Sequence, residues 1–123
     1  MFTLSYTQSF VAAMRLPNNT GPCGRLHGHT YEVTITVKRD ELNDDGMVID
    51  YHELGLKLDS VLAKLDHNFL NDLDYFKDIA PTSENIAKYI YLAIKLELKT
   101  QGVTVSKIEI AEDRNVRISY QPE

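Results

Sequence analysis

Hydrophobic and polar positions alternate with period two from the start of the chain. Phe2, Leu4, Tyr6, Gln8 and Phe10 share one parity, and Thr3, Ser5, Thr7 and Ser9 share the other, the signature of a half-buried β-strand. The same parity runs on through Ala12 to Met14, and the Pro- and Asn-rich stretch at 17–22 reads as a loop. Alternation returns with Tyr31, Val33, Ile35 and Val37 facing one way and Glu32, Thr34, Thr36 and Lys38 the other. Stepping back by twos from Tyr31 reaches His29 and His27, so both imidazoles extend the apolar face if the strand begins that early. Asn43-Asp44-Asp45-Gly46 marks a turn, followed by a short apolar return from Met47 to Ile49.

From Asp50 the period lengthens. Leu54, Leu58, Val61, Leu62 and Leu65 fall at helical spacing, which predicts an amphipathic helix over 50–66 ending near Asp66-His67-Asn68. A linker over 71–80 carries Tyr75 and Phe76 as aromatic anchors. Pro81-Thr82-Ser83-Glu84 then predicts a helix start, with a Thr or Ser cap and an acid in the first turn. Ile86, Ile90, Ala93, Ile94 and Leu98 continue that helix, with Gly102 as its stop. Two strands finish the sequence, one with Ile108, Ile110 and Glu112 on a face, the other with Val116, Ile118 and Tyr120; Asp113-Arg114-Asn115 is the turn between them. The order β-β-α-α-β-β predicts a single α+β domain over 1–123, a four-stranded antiparallel sheet with both helices on one face. The open edges of such a sheet invite pairing with further copies.

Composition narrows the function classes. The net charge is −5 and no Lys/Arg run occurs, which argues against a nucleic-acid partner, since that needs a basic face to neutralise phosphates. No apolar run approaches the ~20 residues that span a bilayer, so no membrane partner is expected. Met1 to Tyr6 alternate rather than forming a basic and then apolar leader. One cysteine, Cys23, precludes an intrachain disulfide and suits a reducing compartment, so a cytosolic location is expected.

Four groups of residues could carry chemistry. His27 and His29, two apart on a strand, sit roughly 6–7 Å apart at Cα and on one side; they can hold one metal ion, zinc being suited to imidazole, or they are two polar residues at a strand entrance. Cys23, four residues upstream, is either a half-buried filler or, beside the histidines and Arg25, a thiol activated as base or nucleophile. Asp66-His67 is either a favourable charge arrangement at a helix end or a carboxylate tuning an imidazole for proton transfer. Glu112 extends an apolar parity; it either leaves the sheet for solvent or accepts two N–H bonds from a guanidine-like ring edge, such as a pterin offers.

Together these residues resemble the 6-pyruvoyl-tetrahydropterin synthase and 6-carboxytetrahydropterin synthase family. The matching motifs are Cys23-Gly24-Arg25-Leu26-His27-Gly28-His29, Gly46-Met47-Val48-Ile49-Asp50-Tyr51, Leu65-Asp66-His67 with Leu70-Asn71, Pro81-Thr82-Ser83-Glu84-Asn85, and Ile110-Ala111-Glu112. The cysteine spacing is that of the 6-carboxytetrahydropterin synthases of queuosine biosynthesis. The resemblance implies the tunnelling fold, with three subunits joining their sheets into a barrel and two trimers stacking into a homohexamer. It implies active sites between subunits, where Glu112 works with residues of a neighbour. It also implies a lyase acting on 7,8-dihydroneopterin triphosphate with a zinc cofactor. In that scheme Cys23 is the base, Asp66 and His67 relay protons, His27 and His29 are metal ligands, and Glu112 anchors the pterin. Thr82 and Ser83 touch the pterin or only cap the second helix. The sequence departs from the family at one place: Phe10-Val11-Ala12-Ala13-Met14-Arg15-Leu16 sets Met14 where the family has the third zinc-binding His.

Overall fold

The computed structural model describes residues 1–16, 18, 21 and 24–123. The elements are β1 (Phe2–Met14), β2 (His27–Arg39), α1 (Tyr51–Leu62), α2 (Ser83–Glu97), β3 (Thr104–Ala111) and β4 (Arg117–Tyr120). The sheet is antiparallel throughout, in the order β1-β2-β3-β4. The predicted order and layering hold. The predicted loop at 17–22 and Cys23 fall mainly or wholly outside the described residues.

The two parities of β1 and β2 separate core from surface. Phe10, Ala12, Met14, Tyr31, Val33, Ile35 and Val37 are buried together with Leu54, Leu58, Ile86, Ile90 and Ile94 of the helices. Each large apolar residue among them contributes about 1.5–3 kcal/mol by leaving water. The opposite face of the sheet carries paired hydroxyls, Ser5 with Thr36 at 2.9 Å and Thr7 with Thr34 at 2.8 Å. Helix α1 approaches β1 closely at Gly55, where a Cβ would lie 2.6 Å from the Tyr6 hydroxyl oxygen.

Local chemistry sets most boundaries. Asp50 caps α1 by accepting from the His52 N–H, and Thr82 caps α2 by accepting from the Asn85 N–H. Asp113 accepts from the Asn115 and Val116 N–H groups and so builds the β3–β4 turn. Three expectations need correction. Helix α1 stops at Leu62, not at 66, and residues 63–67 form turns. Leu65 supplied the apparent extra helical turn because it is buried, but from within those turns. The linker over 71–80 holds two short 3₁₀ turns, Leu70–Asp72 and Asp74–Phe76, pinned by the packing of Tyr75 and Phe76 on Tyr89. Helix α2 ends at Glu97; Gly102, at φ 73°, serves the later turn into β3.

Candidate active site

The strand register decides which candidate residues meet. Met14 pairs with His27 and Ala12 with His29 across β1 and β2. On the other side, Glu32 pairs with Ala111, so Glu112 continues β3 beside the start of β2. The outcome is one cavity of about 430 Å³ lined by Met14, Leu16, His27, His29, Thr82, Ser83, Glu84 and Glu112. Helix α2 reaches it with its first turn, which is why its capping segment forms part of the wall.

Within the cavity the imidazoles of His27 and His29 lie edge to face, 4.9 Å between centroids. His27 Nδ1 is 2.6 Å from the Arg25 carbonyl oxygen. A carbonyl can only accept, so Nδ1 is the donor, and in the neutral ring Nε2 is then the acceptor. His29 Nε2 stands 3.9 Å from Glu112 Oε2, and the Ser83 hydroxyl donates to Glu112 Oε1. Glu112 therefore meets the histidines within one protomer. Thr82 both caps α2 and lines the cavity, so capping and ligand contact are compatible at that position.

Asp66 and His67 lie elsewhere. The turn after α1 runs along the outer edge of β1, where Val11 N–H donates to Asp66 Oδ1 at 2.9 Å and Ala13 N–H to the Asn68 carbonyl at 3.0 Å. His67 Nδ1 is 2.9 Å from Asp66 Oδ2, and the His67 side chain is 79% exposed. The Val11 hydrogen bond, followed by the His67 contact, holds the Asp66 carboxyl below its ordinary range. His67 has φ 58°, a left-handed conformation costing about 1–2 kcal/mol for a residue with a Cβ. It lines a separate shallow depression with Val11, Ala13, Gly28 and Phe69. Cys23 lies outside the described residues. Arg15, one of the two cations nearest the site in sequence, donates through Nε to the Gly24 carbonyl at 2.9 Å.

One neighbour of the site was not legible as such in the sequence. Tyr31 is wholly buried, stacked on Phe10 at 4.8 Å and edge-on to His29 at 5.5 Å. Its hydroxyl has no hydrogen-bond partner among the described residues, an omission that costs about 1–3 kcal/mol. Burial, then the charge of Glu112, pushes that hydroxyl far above the ordinary range for a tyrosine. A Tyr on a strand face otherwise built of Val33, Ile35 and Val37 was the available signal.

The sequence profile described as 6-pyruvoyl tetrahydropterin synthase matches residues 3–123. The chain belongs to the 6-pyruvoyl tetrahydropterin synthase family. Its sheet and helix pair are the tunnelling fold of that family. The 6-pyruvoyl tetrahydropterin synthase of Caenorhabditis elegans superposes with a TM-score of 0.88 at 27% identity, over 99% of this protein and 96% of that one. The 6-carboxy-5,6,7,8-tetrahydropterin synthase of Bacillus subtilis (strain 168) is 38% identical over 109 residues, 80% of this protein and 69% of that one. The 6-pyruvoyl tetrahydrobiopterin synthase of Homo sapiens is 33% identical over 99 residues, 79% of this protein and 67% of that one. Relatives of this family thus carry both product names at comparable identity.

The family resemblance implies zinc, and the donor set can be tested against it. A catalytic zinc wants three nitrogen, thiolate or carboxylate ligands and an open position. Among the described residues, no three His, Cys, Asp or Glu side chains converge as such a set. The third position on the imidazole wall is Met14, whose thioether prefers softer ions. The described donors do not fit a three-nitrogen zinc centre, so the roles assigned to these residues rest on their own acid–base and hydrogen-bonding chemistry.

Proposed function

We propose that the protein is a lyase of the 6-carboxytetrahydropterin synthase type, acting on 7,8-dihydroneopterin triphosphate. The observation that carries this reading is the convergence of Glu112, Ser83, His27 and His29 on one cavity in a member of this family. The 6-carboxy product is favoured over the 6-pyruvoyl one by the Cys23-Gly24-Arg25-Leu26-His27-Gly28-His29 spacing.

The roles follow from the chemistry of each group. Glu112 offers two carboxylate oxygens to the adjacent N–H donors on the 2-amino-4-oxo edge of a pterin ring, a bidentate pairing. Ser83 fixes one of those oxygens from α2. The ring then lies across the cavity with its substituent directed to the imidazole wall, where His27 Nε2 can accept a proton or a hydrogen bond. Cys23, four residues before His27 in sequence, is the base we assign to the C–H of that substituent. Asp66 and His67 would complete the proton relay from a neighbouring copy, within a homohexamer of two trimers. Their place at the outer border of the sheet, with the His67 side chain exposed, supports that arrangement. The lone cysteine fits a reducing, cytosolic setting.

Met14 favours a second reading, a pterin binder whose lyase chemistry is weakened or lost. Incubation with 7,8-dihydroneopterin triphosphate and analysis of the products separates the two. Release of triphosphate and acetaldehyde with 6-carboxytetrahydropterin is the expected result. A 6-pyruvoyl product would move the assignment within the family, and unconsumed substrate that nevertheless binds would establish the second reading.

A further inference from the structure

Glu112 holds an unfinished set of contacts. Ser83 donates to one oxygen, while the other sits 3.9 Å from His29 Nε2, beyond a hydrogen bond. Its neighbour across the sheet is Tyr31. Continuing the β2–β3 pairing one step beyond Glu32 and Ala111 sets Tyr31 opposite Glu112, and the Tyr31 hydroxyl senses the Glu112 charge. The Tyr31 ring is clamped by Phe10 on one side and His29 on another. The hydroxyl cannot swing to water, since the residue has no exposed surface, and it has no hydrogen-bond partner among the described residues.

An unpaired hydroxyl on a fixed ring, borne by the residue that faces an incompletely bonded carboxylate across two strands, suits a contact made only in another state of that carboxylate. A guanidine-like edge needs both Glu112 oxygens presented together toward the cavity, which turns the carboxylate away from His29. If Glu112 holds a pterin as proposed, on which this inference rests, the back of the turned carboxylate needs a donor. We propose that Tyr31 is a positioning residue for Glu112, its hydroxyl supplying that donor when a ring with two adjacent N–H groups is bound. The hydroxyl touches neither ligand nor reacting atoms and acts through the carboxylate alone. It thereby favours ligands that engage Glu112 in the bidentate way.

Tyr31→Phe tests this while keeping the ring and its stacking on Phe10. Three measurements are made on the full-length protein: the melting temperature without ligand, the Kd for 7,8-dihydroneopterin, and the Kd for the corresponding lumazine. In the lumazine a carbonyl replaces the 2-amino group, so the adjacent donor pair is lost. The variant is expected to melt at or above the wild-type temperature, because an orphan hydroxyl has been removed. It is expected to bind 7,8-dihydroneopterin roughly tenfold more weakly, the scale of one hydrogen bond to a charged group. Lumazine binding should be unchanged, so the preference between the two ligands narrows. A purely structural hydroxyl would lower the melting temperature and leave that preference alone, which would overturn the proposal. Equal pterin affinity in variant and wild type would overturn it too, while leaving the pterin reading intact. Absence of pterin binding in the wild type would remove both.

Discussion

The cavity and the Asp66–His67 turn both depend on β1, yet they are built differently. The cavity is assembled across the sheet: Met14 from β1, His27 and His29 from β2, Glu112 just past β3, and Ser83 from α2. Its strand members sit on one face because the parities agree, and all of them are buried or half-buried. The Asp66–His67 turn is a local structure hung on the outer edge of the same strand, with one backbone hydrogen bond to the carboxylate and an imidazole in the open. A single protomer therefore gathers one half of the candidate site in its cavity, the half proposed to anchor a pterin, and presents the other half, proposed as the proton relay, at its border. The border half also carries the strained residue, His67 at φ 58°. Local strain kept at an exposed position is common where a side chain serves something other than the stability of its own fold.

The largest expected effect comes from breaking the border half without harming the fold. Glycine adopts φ 58° freely, so His67→Gly should keep the melting temperature within a few degrees of wild type while turnover falls about 10²–10⁴-fold, the scale of a lost general acid–base group. Mixing that variant with Glu112→Gln, after dissociation and reassembly, should recover activity if the two halves meet between copies. No recovery would confine the Asp66–His67 turn to another role. Next in size is the imidazole wall. Met14→His should raise zinc affinity at least tenfold in a chelator competition, by completing a three-nitrogen set, whereas Met14→Leu should leave it unchanged. An unaltered affinity in Met14→His would mean that position 14 does not face the two imidazoles as a ligand.

Smaller effects separate the halves further. Ser83→Ala removes one donor from Glu112 but leaves the Thr82 cap, so a pterin Kd weaker by roughly five- to tenfold is expected, with little change in melting temperature. The smallest is a pH effect confined to the border. Asp66 is depressed below its ordinary 3.8 by the Val11 N–H and by His67. A depressed carboxylate stabilises the fold above its unfolded pKa and loses that contribution as pH falls through the folded one. The melting-temperature gap between wild type and Asp66→Asn should therefore be constant above about pH 5 and shrink below pH 4. A gap that widens on acidification would contradict the assigned contacts.

The anchoring half was largely legible in the sequence, and the border half was not. Period-two counting placed His27 and His29 on the core face, and Glu112 on the matching parity of β3, because a strand's facing is a local property. The Thr82 cap and the Asp113 turn were legible for the same reason, since their hydrogen bonds close within three residues. The end of α1 depends on partners far away. Asp66 bonds Val11, 55 positions earlier, and no spacing around Leu65 distinguishes another helical turn from a turn captured by a strand edge. The orphan hydroxyl of Tyr31 was equally hidden, because it becomes informative only once its surroundings in three dimensions are known.

The central claim is that a pterin ring docks on the carboxylate of Glu112 beside the imidazole wall. Titration of wild type and Glu112→Gln with 7,8-dihydroneopterin, followed by ligand fluorescence, tests it most directly. A Kd weaker in the variant by tenfold or more, with the melting temperature held, is the expected result. Equal affinity in the two proteins would contradict it.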